Sequence, residues 1–240
     1  MKICDLHTHV LHEVDDGAQT LEYALEMLRN AVASDVTELV VTPHCNSAFG
    51  GGNFLDQNLQ EQFLLLKQAA KDVPIRLMLG AEARVNSQLQ MNLMQKRIPT
   101  LNESRYLLTE FASDTAEADF LPALQDILSL GYIPLIAHPE RYAAVCSDPN
   151  MVEQWLDMGC HIQLTGGSVL GEYGKAVQRT ATYLLKQDLV ACVASDAHGT
   201  NWRSNFLLDV YNHLAIHYSK QYAACLLWEN PMRICHDEEL

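Results

Sequence analysis

No run of about eighteen uncharged apolar residues occurs anywhere in the 240-residue chain, so a membrane-spanning helix is not expected. The start, Met1-Lys2-Ile3-Cys4-Asp5, lacks the basic segment and apolar core of a secretory leader, which predicts a cytoplasmic protein. Positive charge is scarce: 16 Lys+Arg against 30 Asp+Glu leave a formal net charge of −14. Nucleic acid and anionic membranes reward basic patches, so neither is an expected partner. An anion would need local cations, either metals or a few placed arginines. Cys-x-x-Cys pairs are absent, and the seven cysteines are an odd number, so free and mostly buried thiols are expected. No cysteine has an arginine six residues on, which argues against a thiol-based phosphatase. Gly50-Gly51-Gly52 lacks the lysine and the strand–helix context of a phosphate-binding loop and reads as part of a mobile segment, Cys45 to Phe54. Neither a linker nor an internal repeat is visible. One domain over 1–240 is the reading, within the size range of an α/β barrel.

What the chain does have is an alternation of short apolar runs with amphipathic stretches. Strands are predicted at Lys2 to Asp5, Glu38 to Thr42, Ile75 to Ala81, Tyr106 to Thr109, Ile133 to Ala137, Cys160 to Leu164 and Val190 to Ala194. Helices are predicted where apolar residues recur at helical spacing, as at Leu21, Leu25, Leu28 and Val32 and at Leu59, Phe63, Leu66 and Ala70. Further helices are expected near Gln88 to Gln95, Asp119 to Leu130, from an Asp148 cap with Pro149 at the first position to Gly159, and at Ala176 to Lys186. Two more, Phe206 to Tyr218 and Tyr222 to Trp228, complete the chain. Seven strands, each followed by a helix, indicate a parallel sheet that closes or nearly closes into a barrel.

Chemistry-bearing residues gather at the ends of those strands. His7 and His9 follow the first, His44 the second, Glu82 the third, Glu110 the fourth, His138 the fifth, and Asp196 with His198 the seventh; Asp16 lies in the first loop. Barrels of this kind place their sites at the carboxyl ends of the strands, where side chains remote in sequence converge. Only the sixth strand, ending Gln163-Leu164-Thr165, offers no obvious ligand. Crowded imidazoles and carboxylates need compensation, and cations supply it. This nitrogen and oxygen donor set suits manganese, iron, zinc or magnesium. Nine ligands exceed one site, so two or three metals are expected, the equipment for hydrolysing a phosphoester. His213 and His217 lie four apart on a predicted helix without a catalytic glutamate, and they read as helix surface. His12, His161 and His236 read as structural or solvated.

These residues resemble those of the PHP (polymerase and histidinol phosphatase) superfamily, most closely its bacterial protein-tyrosine phosphatases of capsular and extracellular polysaccharide operons, the CpsB/YwqE type. The resemblance is carried by Asp5-Leu-His-Thr-His9, Asp15-Asp-Gly17, Thr42-Pro-His44, Gly80-Ala-Glu82, Leu108-Thr-Glu110, Ala137-His-Pro-Glu-Arg141, Gly166-Gly-Ser168 with Gly171 and Gly174, and Ser195-Asp-Ala-His198. It implies a distorted (β/α)7 barrel, TIM-like, holding three divalent ions, manganese first. By motif, His7, His9, Glu82 and Asp196 would hold one ion, Glu82, Glu110 and His138 a second, and Asp16, His44 and His198 a third. Asp5 looks like a carboxylate that orients a ligand imidazole, with a structural strand-end role as the alternative. Arg141 and Arg203 match positions that hold the phosphate, against the alternative of surface salt bridges.

The function so implied is phosphotyrosine hydrolysis by a metal-bound hydroxide, acting on a bacterial tyrosine kinase of polysaccharide export. Phenolate is a tolerable leaving group, so no general acid is assigned. The alternatives are a small-molecule phosphatase such as histidinol-phosphate phosphatase, or an inactive metal-binding regulatory protein. One departure stands out: Cys45-Asn-Ser-Ala-Phe-Gly-Gly-Gly52 replaces the histidine, basic and aromatic residues usual after Thr-Pro-His, which makes the substrate-facing loop unusual. The segment Gly199-Thr-Asn-Trp-Arg203 also lacks the proline common beyond the arginine.

Overall fold

Ten strands build the protein's framework in a computed structural model that describes residues 1–47 and 51–240: β1 (Ile3–Thr8), β2 (Val36–Val41), β3 (His44–Ser47), β4 (Gly51–Gly52), β5 (Arg76–Leu79), β6 (Glu82–Arg84), β7 (Tyr106–Glu110), β8 (Ile133–Ala137), β9 (His161–Thr165) and β10 (Cys192–Ala194). Hydrogen bonding groups them as β1-β2-β5 and as β10-β9-β8-β7-β6-β3-β4. All pairs are parallel except β3 with β4. The two sheets share two chain segments, because β2 runs on into β3 through Thr42-Pro43 and β5 runs on into β6 through Gly80-Ala81. Between β10 and β1 the ring is closed by a parallel bridge from Thr8 to Ala197, with Asp196 N–H donating to the His7 carbonyl at 2.9 Å. The expected seven-position barrel is therefore present, but its second and third staves are broken. Pro43 has no N–H to give a ladder, and Gly80 packs so close to Val40 and Leu101 that a Cβ there would lie 3.0 Å from each. Residues 48–50 of the expected mobile segment lie outside the described residues; the flanks of that segment pair as β3 and β4.

Helices α1 (Leu21–Ala33), α2 (Gln57–Ala69), α3 (Leu89–Met94), α4 (Glu117–Ser129), α5 (Ala143–Ser147), α6 (Met151–Asp157), α7 (Gly166–Leu170), α8 (Lys175–Lys186), α9 (Leu207–His217), α10 (Lys220–Ala224) and α11 (Asn230–Cys235) pack around the ring. Thr20 caps α1 by accepting from the Tyr23 N–H, and Asp56 caps α2 by accepting from Leu59. Gly131 and Gly159, at φ of +85° and +92°, turn the chain out of α4 and α6 as expected of C-terminal stops. The helix expected to start at Asp148 starts instead at Met151, because the Asp148 carboxylate accepts from the backbone and side chain of Asn150 and holds a turn there. The last helix also departs from expectation. It continues through a π-turn, Cys225–Glu229, into α11 rather than ending near Trp228.

Strand residues alternate between two cores. Leu39, Val41, Ile136 and Val193 pack with Leu28, Phe120, Trp155 and Leu184 of the surrounding helices. Val40, Leu135, Ala137, Cys192 and Ala194 form the other cluster with Ile234 and Cys235 of α11. All seven cysteines are free, and five of them are buried.

Candidate metal centre

Glu82, the first residue of β6, is 1% exposed and stands at the centre of the site. Its carboxylate lies 2.9 Å from His44 Nδ1, 2.9 Å from His138 Nε2, 3.3 Å from His7 Nε2 and 3.4 Å from His9 Nε2. The broken staves put it there: His44 pairs in register with Glu82 just past Pro43, and each begins a short upper strand instead of ending a long lower one. Burial works against charge on Glu82, but His7 and the hydrogen-bonding rings of His138 and His44 outweigh it, holding the carboxyl well below the usual range.

Three donor groups overlap around this carboxylate, each with ligand atoms within 4.8 Å of one another: His7, His9 and Glu82; His44, Glu82 and Glu110; and His9, Asp16, His44 and His198. His7 Nε2 and His9 Nε2 are only 3.1 Å apart. His44 Nε2 and His198 Nε2 converge on Asp16 Oδ1 at 3.2 and 3.3 Å. Burial and the neighbouring His9 push His198 down to about 4, which leaves a neutral ring with a lone pair to offer. Against the pull of burial, Asp15 and Glu82 raise His9 to about 10. His138 Nδ1 is buried with no hydrogen-bond partner, so this ring has donor capacity unused within the protein. Buried imidazoles and carboxylates sharing a few ångströms fit divalent cations of hard or borderline character.

Asp196 is brought to the same place, with Oδ1 3.5 Å from His7 Nε2 and 3.6 Å from His9 Nε2. It is absent from the tight donor groups, and two guanidinium groups hold it: Arg141 NH1 at 2.7 Å and Arg203 NH2 at 2.8 Å. Burial opposes its charge, yet His7 and Arg203 keep it ionised far below the usual range. Both arginines expected near a phosphate are thus drawn to the edge of the donor cluster, with side chains 27% and 21% exposed. Arg141 also lies 5.0 Å from the centroid of the Tyr173 ring, a cation–π distance.

Other expectations are corrected. Asp5 orients no imidazole ring. Its Oδ1 accepts from the Ser195 N–H at 2.9 Å and the His7 N–H at 3.4 Å, and its Oδ2 accepts from Asn205 Nδ2 at 2.8 Å. It fastens β1 to the exit of β10, and burial pushes its carboxyl up to about 6 against those hydrogen bonds. The imidazole-orienting groups are two residues that sequence reasoning left aside. Asp15 Oδ2 lies 2.8 Å from His9 Nδ1 and accepts from the His44 N–H at 3.0 Å, while Gln163 Oε1 lies 2.9 Å from His7 Nδ1. The sixth strand position is therefore not idle. Glu110 groups with His44 and Glu82, His138 reaches that same Glu82 carboxylate at 2.9 Å, and Glu110 Oε2 lies 2.8 Å from Arg84 NH1. Arg84 was also missed, although its place two residues after Glu82 on a strand was a signal that both face the same side. His213 and His217 face each other on α9, outside every donor group found among the described residues.

Comparison with known proteins accords with this geometry. The family model for capsular polysaccharide synthesis, CpsB/CapC, matches residues 3–236. The tyrosine-protein phosphatase CpsB of Streptococcus pneumoniae is 34% identical over 241 residues, covering 98% of each chain. A solved structure from work on YwqE of Bacillus subtilis and CpsB of Streptococcus pneumoniae, called metal-dependent tyrosine phosphatases, superposes with a TM-score of 0.89 at 28% identity, covering 99% of this chain and 95% of that one. The lactonase Lmo2620 of Listeria monocytogenes, at TM-score 0.63 and 11% identity over 97% of this chain and 94% of its own, shares the fold alone. With a near full-length profile match and a near full-length relative above 30% identity, this chain belongs to the CpsB/CapC family of capsular polysaccharide synthesis.

Proposed function

We propose that this protein is a metal-dependent protein-tyrosine phosphatase, one catalytic unit over 1–240, that acts in the cytoplasm on the autophosphorylated tyrosine kinase of a polysaccharide-export system. The observation that carries the reading is the overlap of three donor groups, two of them sharing Glu82 and the third joined to those through His9 and His44, with two guanidinium groups at their edge. In this reading His7, His9, Glu82 and Asp196 hold one cation, Glu82, Glu110 and His138 a second with His44 in reach, and Asp16, His44 and His198 a third. Manganese is the first choice, with iron, zinc or magnesium as alternatives. Bound there, divalent cations supply Lewis acidity toward the phosphoryl oxygens and lower the pKa of water.

The chain's own residues do the rest. Arg141 and Arg203 offer planar forks to the non-bridging oxygens, and phosphate competes with Asp196 for them. Asp15 and Gln163 fix which nitrogen of His9 and of His7 faces inward. Buried Glu82 stays ionised and keeps the imidazoles aimed at one point. A tyrosyl leaving group, with a pKa of about 10, departs without help from a strong acid.

The test is phosphate release from a phosphotyrosine peptide and from histidinol phosphate, by protein stripped with a chelator and then reloaded with manganese. Turnover of the peptide that vanishes on stripping, returns on reloading and exceeds that of histidinol phosphate is the expected result. Undiminished activity after complete stripping, or a clear preference for histidinol phosphate, removes the proposal.

A further inference from the structure

A cleft of about 1110 Å³ opens beside the donor cluster, with Asp16, His44, Arg84, Val85, Asn86 and Glu110 in its wall. Arg141 and Arg203 are not part of that wall; they pair with Asp196, which lies near His7 and His9 and does not line the cleft either. A phosphoryl group held by those two arginines therefore leaves the rest of a substrate to occupy the cleft. Among the described residues that line it, Arg84 is the one guanidinium or ammonium group.

The Arg84 side chain is 32% exposed and, among the described residues, makes a single ion pair, from NH1 to Glu110 Oε2. Of the five N–H donors of the fork, most are not engaged by that pair, on a side chain that lines the cleft. Its backbone is held firmly. Asn46, buried at φ +60° in the segment that departs from the family pattern, donates from Nδ2 to the Arg84 carbonyl at 2.8 Å and to Asn86 Oδ1 at 3.0 Å. Asn86 Nδ2 donates back to the Asn46 carbonyl at 2.6 Å, and Asn92 Nδ2 donates to Asn46 Oδ1 at 2.8 Å. A satisfied buried amide network of this kind fixes geometry, which is what a recognition group requires.

We propose that Arg84 reads an anionic group next to the phosphotyrosine, either a carboxylate or a second phosphoryl group, and thereby sets the peptide preference of the enzyme. The inference rests on the proposed function and adds a specificity residue to it. Opposite charge across a partly desolvated cleft gains a charge-assisted hydrogen bond, and an acidic wall lacking Arg84 would repel the same group.

Three phosphotyrosine peptides test it, identical except at the two flanking residues, which are glutamine, glutamate or a non-hydrolysable phosphonate analogue of phosphotyrosine. With manganese-loaded wild-type protein, kcat/KM for an anionic peptide is expected to exceed that for the neutral one by about tenfold, mainly through KM, and the gap narrows as salt is raised. Arg84→Gln brings the ratio close to one, while Arg84→Lys keeps part of it, having the charge without the fork. Preference for glutamate alone identifies a carboxylate; preference for the phosphonate alone identifies a second phosphoryl group. A wild-type ratio near one, which needs no variant to measure, or a ratio unchanged in a folded Arg84→Gln, overturns the inference. Equal turnover of all three peptides removes this inference and leaves the phosphatase reading standing, whereas no turnover of any peptide removes both.

Discussion

Cys45 follows His44 in the chain, yet burial pushes its thiol up to about 12, and burial does the same to Cys160. In the unfolded chain a thiol ionises at about 8.5. Between those values the unfolded state gives up a proton that the folded state keeps, so stability must fall as pH rises through this window. Each such thiol contributes a slope of at most about 1.4 kcal/mol per pH unit. Urea unfolding at pH 8 and pH 10 should show a lower midpoint at pH 10, with a smaller drop in Cys160→Ser; equal drops would show that Cys160 plays no part. The same scale shows where linear spacing runs out. Asp5 lies two residues from His7 and Asp15 six from His9, but it is Asp15 that meets a ring, because the loop folds back while the strand keeps Asp5 pointed at Ser195 and Asn205.

The loop between β1 and α1 is the element on which the site most depends. It wraps back onto His9: Ala18 donates to the His9 carbonyl at 3.0 Å, and the Gly17 N–H donates to Asp15 Oδ1 at 2.9 Å. A Cβ on Gly17 would lie 1.9 Å from the His9 carbonyl oxygen. Gly17→Ala must push the loop off the strand and draw Asp15 away from the ring it orients. Cation affinity, followed by calorimetric titration with manganese, should weaken by at least about tenfold while the far-ultraviolet dichroism stays native. Unchanged affinity would mean that Asp15 does not fix His9. Element breaks were less legible than elements. The apolar runs at 38–42 and 75–81 read as plain strands, and only the ladder reveals that Pro43 and Gly80-Ala81 split each stave and lift His44 and Glu82 into a second tier.

For the whole molecule, charge is the dominant quantity. A net −14, with Asp15, Asp16, Glu82, Glu110 and Asp196 meeting at one barrel mouth, predicts that cations add to stability as well as to chemistry. A ligand at a hundred times its Kd adds about 2.7 kcal/mol to folding. In a chain of this size each such site should raise Tm by about 5–10 °C. Thermal melts with chelator and with saturating manganese measure this, and coincident curves would show that the native state binds no ion the unfolded chain ignores. No helix among the described residues is long and apolar enough to cross a membrane.

Apolar periodicity and turn residues determined by themselves that this would be a ring of parallel strands wrapped in helices, since the period of burial is written locally in each segment. The residue types at the strand ends determined the chemistry, because so many imidazoles and carboxylates in one register have few uses other than holding cations. Only the tertiary structure decided which donors share a centre, that Glu82 is the hub, that Asp15 and Gln163 aim the rings, and that Arg84 faces the cleft. These facts depend on distances between strands far apart in the chain, and a contact across the barrel leaves no periodic trace in sequence.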